Sequence, residues 1–341
     1  MPTESPPDAV PVALRAYAVS LPALRLPATA YYAAWGRCAA KGLRRKAVCA
    51  FDEDAITLAV AAARAAGAET LAPKALFLGT TTLPYDEKPS AATLVSALTA
   101  ETDLHVVELH GSPLAGLQAF AAAADYCRAH PGRRALAVAA DAPAAAPDAP
   151  LEHGFGAGAC AFVLGPGPGP VTVGRYTAVS RETFGSRMRR REAPWTSDLE
   201  LRGDTLGAVL DDLAAARGPR RPRPTRLAAG GTAADARRIA RHVDMPREAV
   251  SNLFAEIGDA GAANAALALA DALDKAAAGE TLLALAAGAG AIALELHVSE
   301  RPARLRGGPS VATRAAAGRE VDYVGYLRHR GVLSSHAGGA A

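Results

Sequence analysis

Bulky aromatic and sulfur-bearing side chains are scarce in this chain of 341 residues. Phe, Trp and Tyr together make up 5% of it, beside four cysteines and three methionines. No stretch interleaves aromatic with basic residues, which sets DNA and RNA binding aside. Cys38, Cys49, Cys127 and Cys160 fall at no metal-ligand spacing, and a cytoplasmic chain would keep them reduced. Long clean apolar runs are missing too. The most apolar stretch, TLLALAAGAGAIALELHV (281–298), is broken by glycines and fits two buried strands rather than a membrane span. The N-terminus MPTESPPDAVPVALR has no basic segment followed by an apolar one, so no secretion signal is expected.

What is present is small and apolar. Half of the residues are hydrophobic, and the charged 21% nearly cancel, leaving a formal net charge of +3. That suits a sizeable core in one large or two fused domains. The basic excess concentrates in RMRRRE (187–192) and RGPRRPRPTR (217–226). Two readings stand: solvated loops, or a surface for an anionic partner such as a nucleotide phosphate or an acidic carrier protein.

Periodicity predicts alternating strands and helices. Strands are expected over 11–22, 74–80, 105–111, 134–141 and 158–165, with helices over 52–67, 89–101 and 114–130. GPGPGP (165–170) looks like a linker. Beyond it come a strand over 226–231, helices over 234–243 and 262–279, and the two strands within 281–298. Such alternation predicts an α/β protein with mostly parallel sheets, covered on both faces by helices of small residues. The two similar halves, 1–168 and 169–341, suggest an internal duplication.

Several segments, in order, resemble archaeal and bacterial 3-hydroxy-3-methylglutaryl-CoA synthases of the thiolase superfamily. They are LRAYAVSLPALRLPATAYYAAWG with KAVCAFDEDAITLAVAAARAA, then LGTTTLPYDEKPSAATLVSAL, then AADAPAAAPDAPLEHGFGAGACAFVLG. VSNLFAEIGDAGAANAALALADAL follows, similar also to ketoacyl-carrier-protein synthase III, and VDYVGYLRHRGVL (321–333) closes the series. The resemblance implies a thiolase fold, two duplicated halves in five αβαβα layers, and usually a dimer.

It also implies four catalytic positions, all changed here. The nucleophilic cysteine should fall within residues 110–114, which read HGSPL. The histidine should fall near Ala229–Gly231, in LAAGGTAADA; the asparagine corresponds to Asp259, and the glutamate to Thr81. An ionised aspartate accepts hydrogen bonds and repels developing negative charge, where asparagine would donate. Hydroxymethylglutaryl-CoA synthesis by the family mechanism is therefore not expected.

Ser112 is the hydroxyl in the altered turn, at the start of the helix over 114–130, where backbone N–H groups favour an anion. His110 lies two residues away, on the same face of an extended strand. Asp259 could orient it, completing a serine-histidine-aspartate set if the halves converge. The alternative is that Ser112 caps the helix and His110 hydrogen-bonds in the interior. Thr81 and Gly230, at the family's glutamate and histidine positions, are candidate substrate contacts. His153, in LEHGFGAG, reads either as a substrate contact or as a structural histidine. Gly288 and Gly290, in AAGAGAIAL, match the family's glycine turn, where glycine lets substrate approach the backbone.

No cofactor is expected beyond the CoA or phosphopantetheine that carries an acyl substrate. Two functions follow, with a plain acyl-CoA binding protein as a third. One is an atypical acyltransferase or condensing enzyme acting on an acyl-CoA or acyl-carrier-protein thioester in specialised metabolism. The other is a non-catalytic subunit of a heteromeric condensing enzyme, like the cysteine-less partner of iterative aromatic polyketide systems. The dimer would be a homodimer or would include another thiolase-fold subunit.

Overall fold

The computed structural model describes residues 10–183, 187–198, 204–219 and 223–333. The first half supplies β1 (Val12–Ser20), β2 (Leu24–Pro27), β3 (Arg45–Val48), β4 (Ala75–Gly79), β5 (His105–Leu109), β6 (Ala135–Asp141) and β7 (Gly158–Pro166). The second supplies β8 (Val171–Val179), β9 (Arg226–Ala229), β10 (Val250–Ser251), β11 (Thr281–Gly288), β12 (Gly290–Val298) and β13 (Arg319–Glu320).

Ten strands form one sheet in the order β10-β9-β11-β12-β8-β1-β7-β6-β4-β5, and β13-β2-β3 make a small second sheet. Five strands of the large sheet come from each half, and the order of one five mirrors the other. The fives meet where β1 touches β8 through the single pair Ala13 and Thr172. The expectation of mostly parallel sheets is corrected. In the large sheet only β4 with β5 and β6, and β9 with β10 and β11, run parallel, and in the small one β13 runs parallel to β2 while β3 runs antiparallel to it. β12 runs antiparallel to β11 because a single residue, Ala289, joins them, too short for a crossover.

Three apolar clusters mark the layering. The helices Ala55–Ala65 and Ser90–Leu98 cover one outer face, against β4, β6 and β7. The helices Thr205–Arg217 and Ala233–His242 cover the other, against β9, β11 and β12. Between the two halves of the sheet lie Ala115–Ala129 and Asn264–Lys275, packed on one another and on both halves. The result is the five-layered αβαβα arrangement. Strands such as β4, ALFLG, are buried throughout because both faces are covered.

Small residues in the middle layer are a geometric necessity. A Cβ on Gly116 would lie 2.0 Å from the carbonyl oxygen of Ala262, so the two central segments meet backbone to backbone. This contact brings the start of one central helix to the start of the other. The stretch 167–170 is a bound turn rather than a free linker: Arg15 donates to the carbonyls of Pro168 at 2.9 Å and Gly167 at 3.2 Å.

Candidate active site

A cavity of about 180 Å³ opens where the two central helices begin. Its walls come from Gly111–Pro113, Arg187, the loop Gly230–Gly231 with Asp235, the turn Asp259–Ala265, and Ala286–Ala289 at the end of β11. Each wall is held by local chemistry. Ser112 Oγ accepts from the N–H of Leu114 at 3.3 Å, just before the helix Ala115–Ala129. Its own hydroxyl proton remains available to the cavity. Asn252 clasps the Gly230 loop by donating to the carbonyls of Ala229 at 3.0 Å and Gly231 at 3.1 Å. Asp235 accepts from the N–H of Thr232 at 2.9 Å and its hydroxyl at 2.7 Å, closing a capping box on the next helix.

Asp259 sits in a turn whose backbone is fixed from both sides. Its N–H donates to Gly154 O at 2.8 Å, and its carbonyl accepts from Gly156 N–H at 2.9 Å. The side chain is tied as well. Oδ1 accepts from Gly261 N–H and from Asn264 Nδ2, both at 2.9 Å, and Arg187 Nη1 lies 3.4 Å from Oδ2. Gly261, at φ +54°, takes a left-handed conformation that permits this tight turn. The Arg187 guanidinium also lies 4.5 Å from the centre of the Phe155 ring, a cation–π arrangement.

Behind the turn stands Asp141, at the end of β6 and fully buried. It accepts from Thr81 Oγ1 at 2.6 Å, Thr81 N–H at 3.2 Å, Ala262 N–H at 2.8 Å and Thr80 Oγ1 at 3.3 Å, and from Thr82 Oγ1. One carboxylate thus fastens the strand-end loop of the first half to the central helix of the second.

No protein-family model matches the chain. Part of it is 35% identical over 127 residues to hydroxymethylglutaryl-CoA synthase of Pyrococcus horikoshii, spanning 36% of each chain. It is 31% identical over 166 residues to the Archaeoglobus fulgidus enzyme, spanning 46% of this chain and 48% of the relative. These matched segments therefore span less than half the length of those relatives. Solved structures superpose over nearly the whole chain. MvaS in complex with 3-hydroxy-3-methylglutaryl coenzyme A matches with a TM-score of 0.77 at 19% identity, over 94% of this chain and 92% of that one. An HMG-CoA synthase complexed with CoA gives 0.80 at 16% identity, over 93% and 90%. The curacin-pathway HMG synthase in complex with an acetyl donor carrier protein gives 0.77 at 17%, over 94% and 88%.

The chain has the fold of hydroxymethylglutaryl-CoA synthases and is similar to them over part of its sequence.

In this cavity some of the expected residues meet and others do not. Ser112, Asp259, Gly230 and Gly288 all line it. A Cβ on Gly288 would sit 3.5 Å from Ser112 Oγ, so the glycine turn and the serine face each other. His110 is exposed, stands outside the lining, and has no hydrogen bond among the described residues. The serine-histidine pair is therefore not assembled: the chain turns at Gly111, φ +90°, which separates the two side chains. The interior hydrogen bond expected of His110 is absent for the same reason.

Thr81 lies outside the cavity, its hydroxyl committed to Asp141. Gly290 is also outside. Its φ of +111° and the carbonyl of Val179, 2.1 Å from a would-be Cβ, show that the strand turn demands glycine there. His153 is structural. It is fully buried, Nδ1 accepts from Ala39 N–H at 2.9 Å, Nε2 lies 3.2 Å from Asp148, and the ring stacks on Tyr31 at 4.0 Å. Burial lowers its pKa. Cys49 and Cys127 stand outside the cavity lining. Cys127 is buried in the core and pushed up to about 11 by desolvation, and Cys49 to about 12.

Arg187, Asp235, Asn264 and Asp141 escaped the reading of single motifs. Arg187 belongs to a basic cluster whose charge run suggested a solvated loop or a docking surface. In the structure Arg189–Arg191 are exposed, whereas the Arg187 side chain retains only 15% exposure. Arg187 is separated from the run by Met188, which pairs with Ser197 in an isolated antiparallel bridge. Residues 220–222 of the second basic cluster lie outside the described residues. Among the described residues no helix is long and apolar enough to cross a membrane, and no cluster of His, Cys, Asp or Glu could hold a metal ion.

Proposed function

We propose that this protein acts on an acyl thioester, carried by CoA or by a carrier protein, as an atypical acyltransferase or condensing enzyme. The observation that carries the reading is the convergence of Ser112, Asp259, Gly230 and Gly288 from both halves on one cavity. The similar structures hold 3-hydroxy-3-methylglutaryl coenzyme A, CoA and a donor carrier protein, which supports a thioester ligand. The Ser112 hydroxyl and the positive end of the helix Ala115–Ala129 would polarise the thioester carbonyl. The acceptor's nucleophilic atom then bonds to the acyl carbon, the C–S bond breaks, and the thiol leaves with the acceptor's proton. Positioning of the two reactants supplies the rate. A setting in specialised metabolism is supported by the curacin-pathway neighbour.

A specific observation favours a second reading, a non-catalytic subunit paired with a competent condensing enzyme. Ser112 has no base in hydrogen-bonding reach among the described residues, and an alcohol needs one to become a nucleophile. β5 ends the large sheet with one free edge, where a second thiolase-fold chain of either kind would add.

Intact-mass spectrometry and CoA release, with acyl-CoAs and acyl-carrier proteins in turn, separate the readings. Thioester-dependent CoA release without a protein adduct supports acyl transfer by positioning. An adduct lost in Ser112→Ala supports a covalent serine route. Binding with neither release nor adduct leaves the subunit reading, and no binding of any thioester overturns both.

A further inference from the structure

The loop that carries Arg187 is pinned at several points. Met188 and Ser197 exchange both backbone hydrogen bonds at 2.8 Å, and Thr196 N–H donates to Ala144 O at 2.8 Å, just past the end of β6. Arg187 roots the loop in the cavity wall, on Asp259 and over the Phe155 ring. Beyond it Arg189, Arg190 and Arg191 are exposed, and their side chains form no hydrogen bond or ion pair among the described residues. Elsewhere exposed arginines such as Arg37, Arg64 and Arg304 lie on carboxylates. Glu192, in the turn that follows at φ +66°, is the loop's neighbouring acid, and it leaves most of this charge uncompensated. A chain extends at most ~3.3–3.6 Å per residue, so the Cα of Arg191 lies within about 14 Å of that of Arg187 in the cavity wall.

We propose that Arg189, Arg190 and Arg191 form a docking surface for an acidic carrier protein, which delivers its acyl thioester to the adjacent cavity. This rests on the thioester reading above and chooses between its two carriers. Neighbouring side chains point apart in strand and helix alike, so three consecutive guanidiniums do not converge on one phosphate. They suit a wider face with several separated carboxylates, each matched by a planar, bidentate fork. A nucleic acid would call for bases stacked on aromatic side chains between the arginines, and none stands there. Exposed pairs of this kind add little affinity each and act mainly on the rate of encounter, which salt screens. The surface therefore steers the carrier to the cavity, and contacts at the cavity itself hold the acyl group.

The test is stopped-flow association of the full chain with an acetyl-loaded acyl carrier protein rich in Asp and Glu, beside acetyl-CoA. Combining Arg189→Gln, Arg190→Gln and Arg191→Gln should slow association of the carrier protein about tenfold and leave acetyl-CoA binding unchanged. Raising the salt from about 50 to about 500 mM should slow the unaltered protein's association with the carrier by a similar factor. An unchanged carrier rate in the triple variant overturns the inference. So does an equal loss for acetyl-CoA, which would make the arginines a site for the phosphates of CoA. Binding of acetyl-CoA without binding of the carrier protein overturns the inference while the thioester reading survives. Binding of neither the carrier protein nor any acyl-CoA overturns both. The salt series on the unaltered protein decides the matter where the variant fails to fold, since a rate indifferent to salt excludes a charged docking surface.

Discussion

Arg187 Nη1 lies 3.4 Å from Asp259 Oδ2, with the side chains only 15% and 21% exposed. A guanidinium from outside the sheets thus faces the position where the related synthases are expected to carry a neutral asparagine. The pair fixes the charge of the cavity wall.

Replacing Asp259 by asparagine tests that pair. The amide oxygen still accepts from Gly261 N–H and Asn264 Nδ2, while the amide nitrogen, a donor, replaces the oxygen that faced Arg187, so the charge and that one contact are removed. Arg187 is then largely buried without its counter-ion, and partial exposure moderates the cost. Urea unfolding of Asp259→Asn is expected to show a loss of about 1–2 kcal/mol. An unchanged midpoint means that Arg187 is neutralised elsewhere.

Ser112→Cys tests whether the frame of the nucleophile site survives. A thiol there sits at the N-terminal end of a fifteen-residue helix, whose backbone dipole favours the thiolate. Iodoacetamide at neutral pH should alkylate this introduced thiol ahead of Cys127, which burial holds up near 11. Peptide mapping reads the order. Slower labelling than at Cys127 contradicts the placement of residue 112 in the open cavity.

Lys46 and Glu152 form a fully buried pair beneath the site, with Nζ 3.3 Å from Oε1. Lys46 Cβ would meet a Cβ on Gly258 at 3.0 Å, directly before Asp259. Tyr31 donates to the same Glu152 oxygen at 2.6 Å, and Lys46 lies over the Tyr326 ring at 4.6 Å. Lys46→Met should lower stability by about 3–5 kcal/mol, and adding Glu152→Gln should restore most of it. Burial depresses the Lys46 pKa from 10.5 to about 8. Between those values the unfolded chain holds a proton that the folded chain has released, so this group's contribution to stability rises with pH. It is complete above 10.5 and lost as pH falls to about 8. Chemical denaturation across that window should show the protein gaining on Lys46→Met as pH rises. A flat difference removes Lys46 as the titrating group.

Much of this architecture was legible in local pattern. The apolar runs ALFLG and ALAVAAD became buried strands, and the glycine-broken stretch over 281–298 became β11 and β12, because apolar side chains demand burial wherever the chain folds. Asp54 and Thr57 close a capping box at the head of Ala55–Ala65, an interaction between neighbours that needs no distant partner. Ser112, Gly230, Asp259 and Gly288 could be named from their motifs because each motif is a short loop with its own geometry.

Relations between motifs could not be read that way. One positive-φ glycine, Gly111, decides that His110 faces solvent while Ser112 faces the cavity. Asp141 becomes a clamp only when β6 ends opposite both Thr81 and Ala262, about 60 and 120 residues away along the chain. Arg187 looks like one of four clustered arginines until the Asp259 turn and Phe155 come to lie against it. By itself the sequence determined which segments must be buried and which loops can bear chemistry, since those follow from side-chain solvation and local backbone preference. The tertiary structure alone decided which polar groups are paired, which are left unpaired, and which face one cavity, because hydrogen bonds and charges act between atoms that only the packed layers bring within a few ångströms.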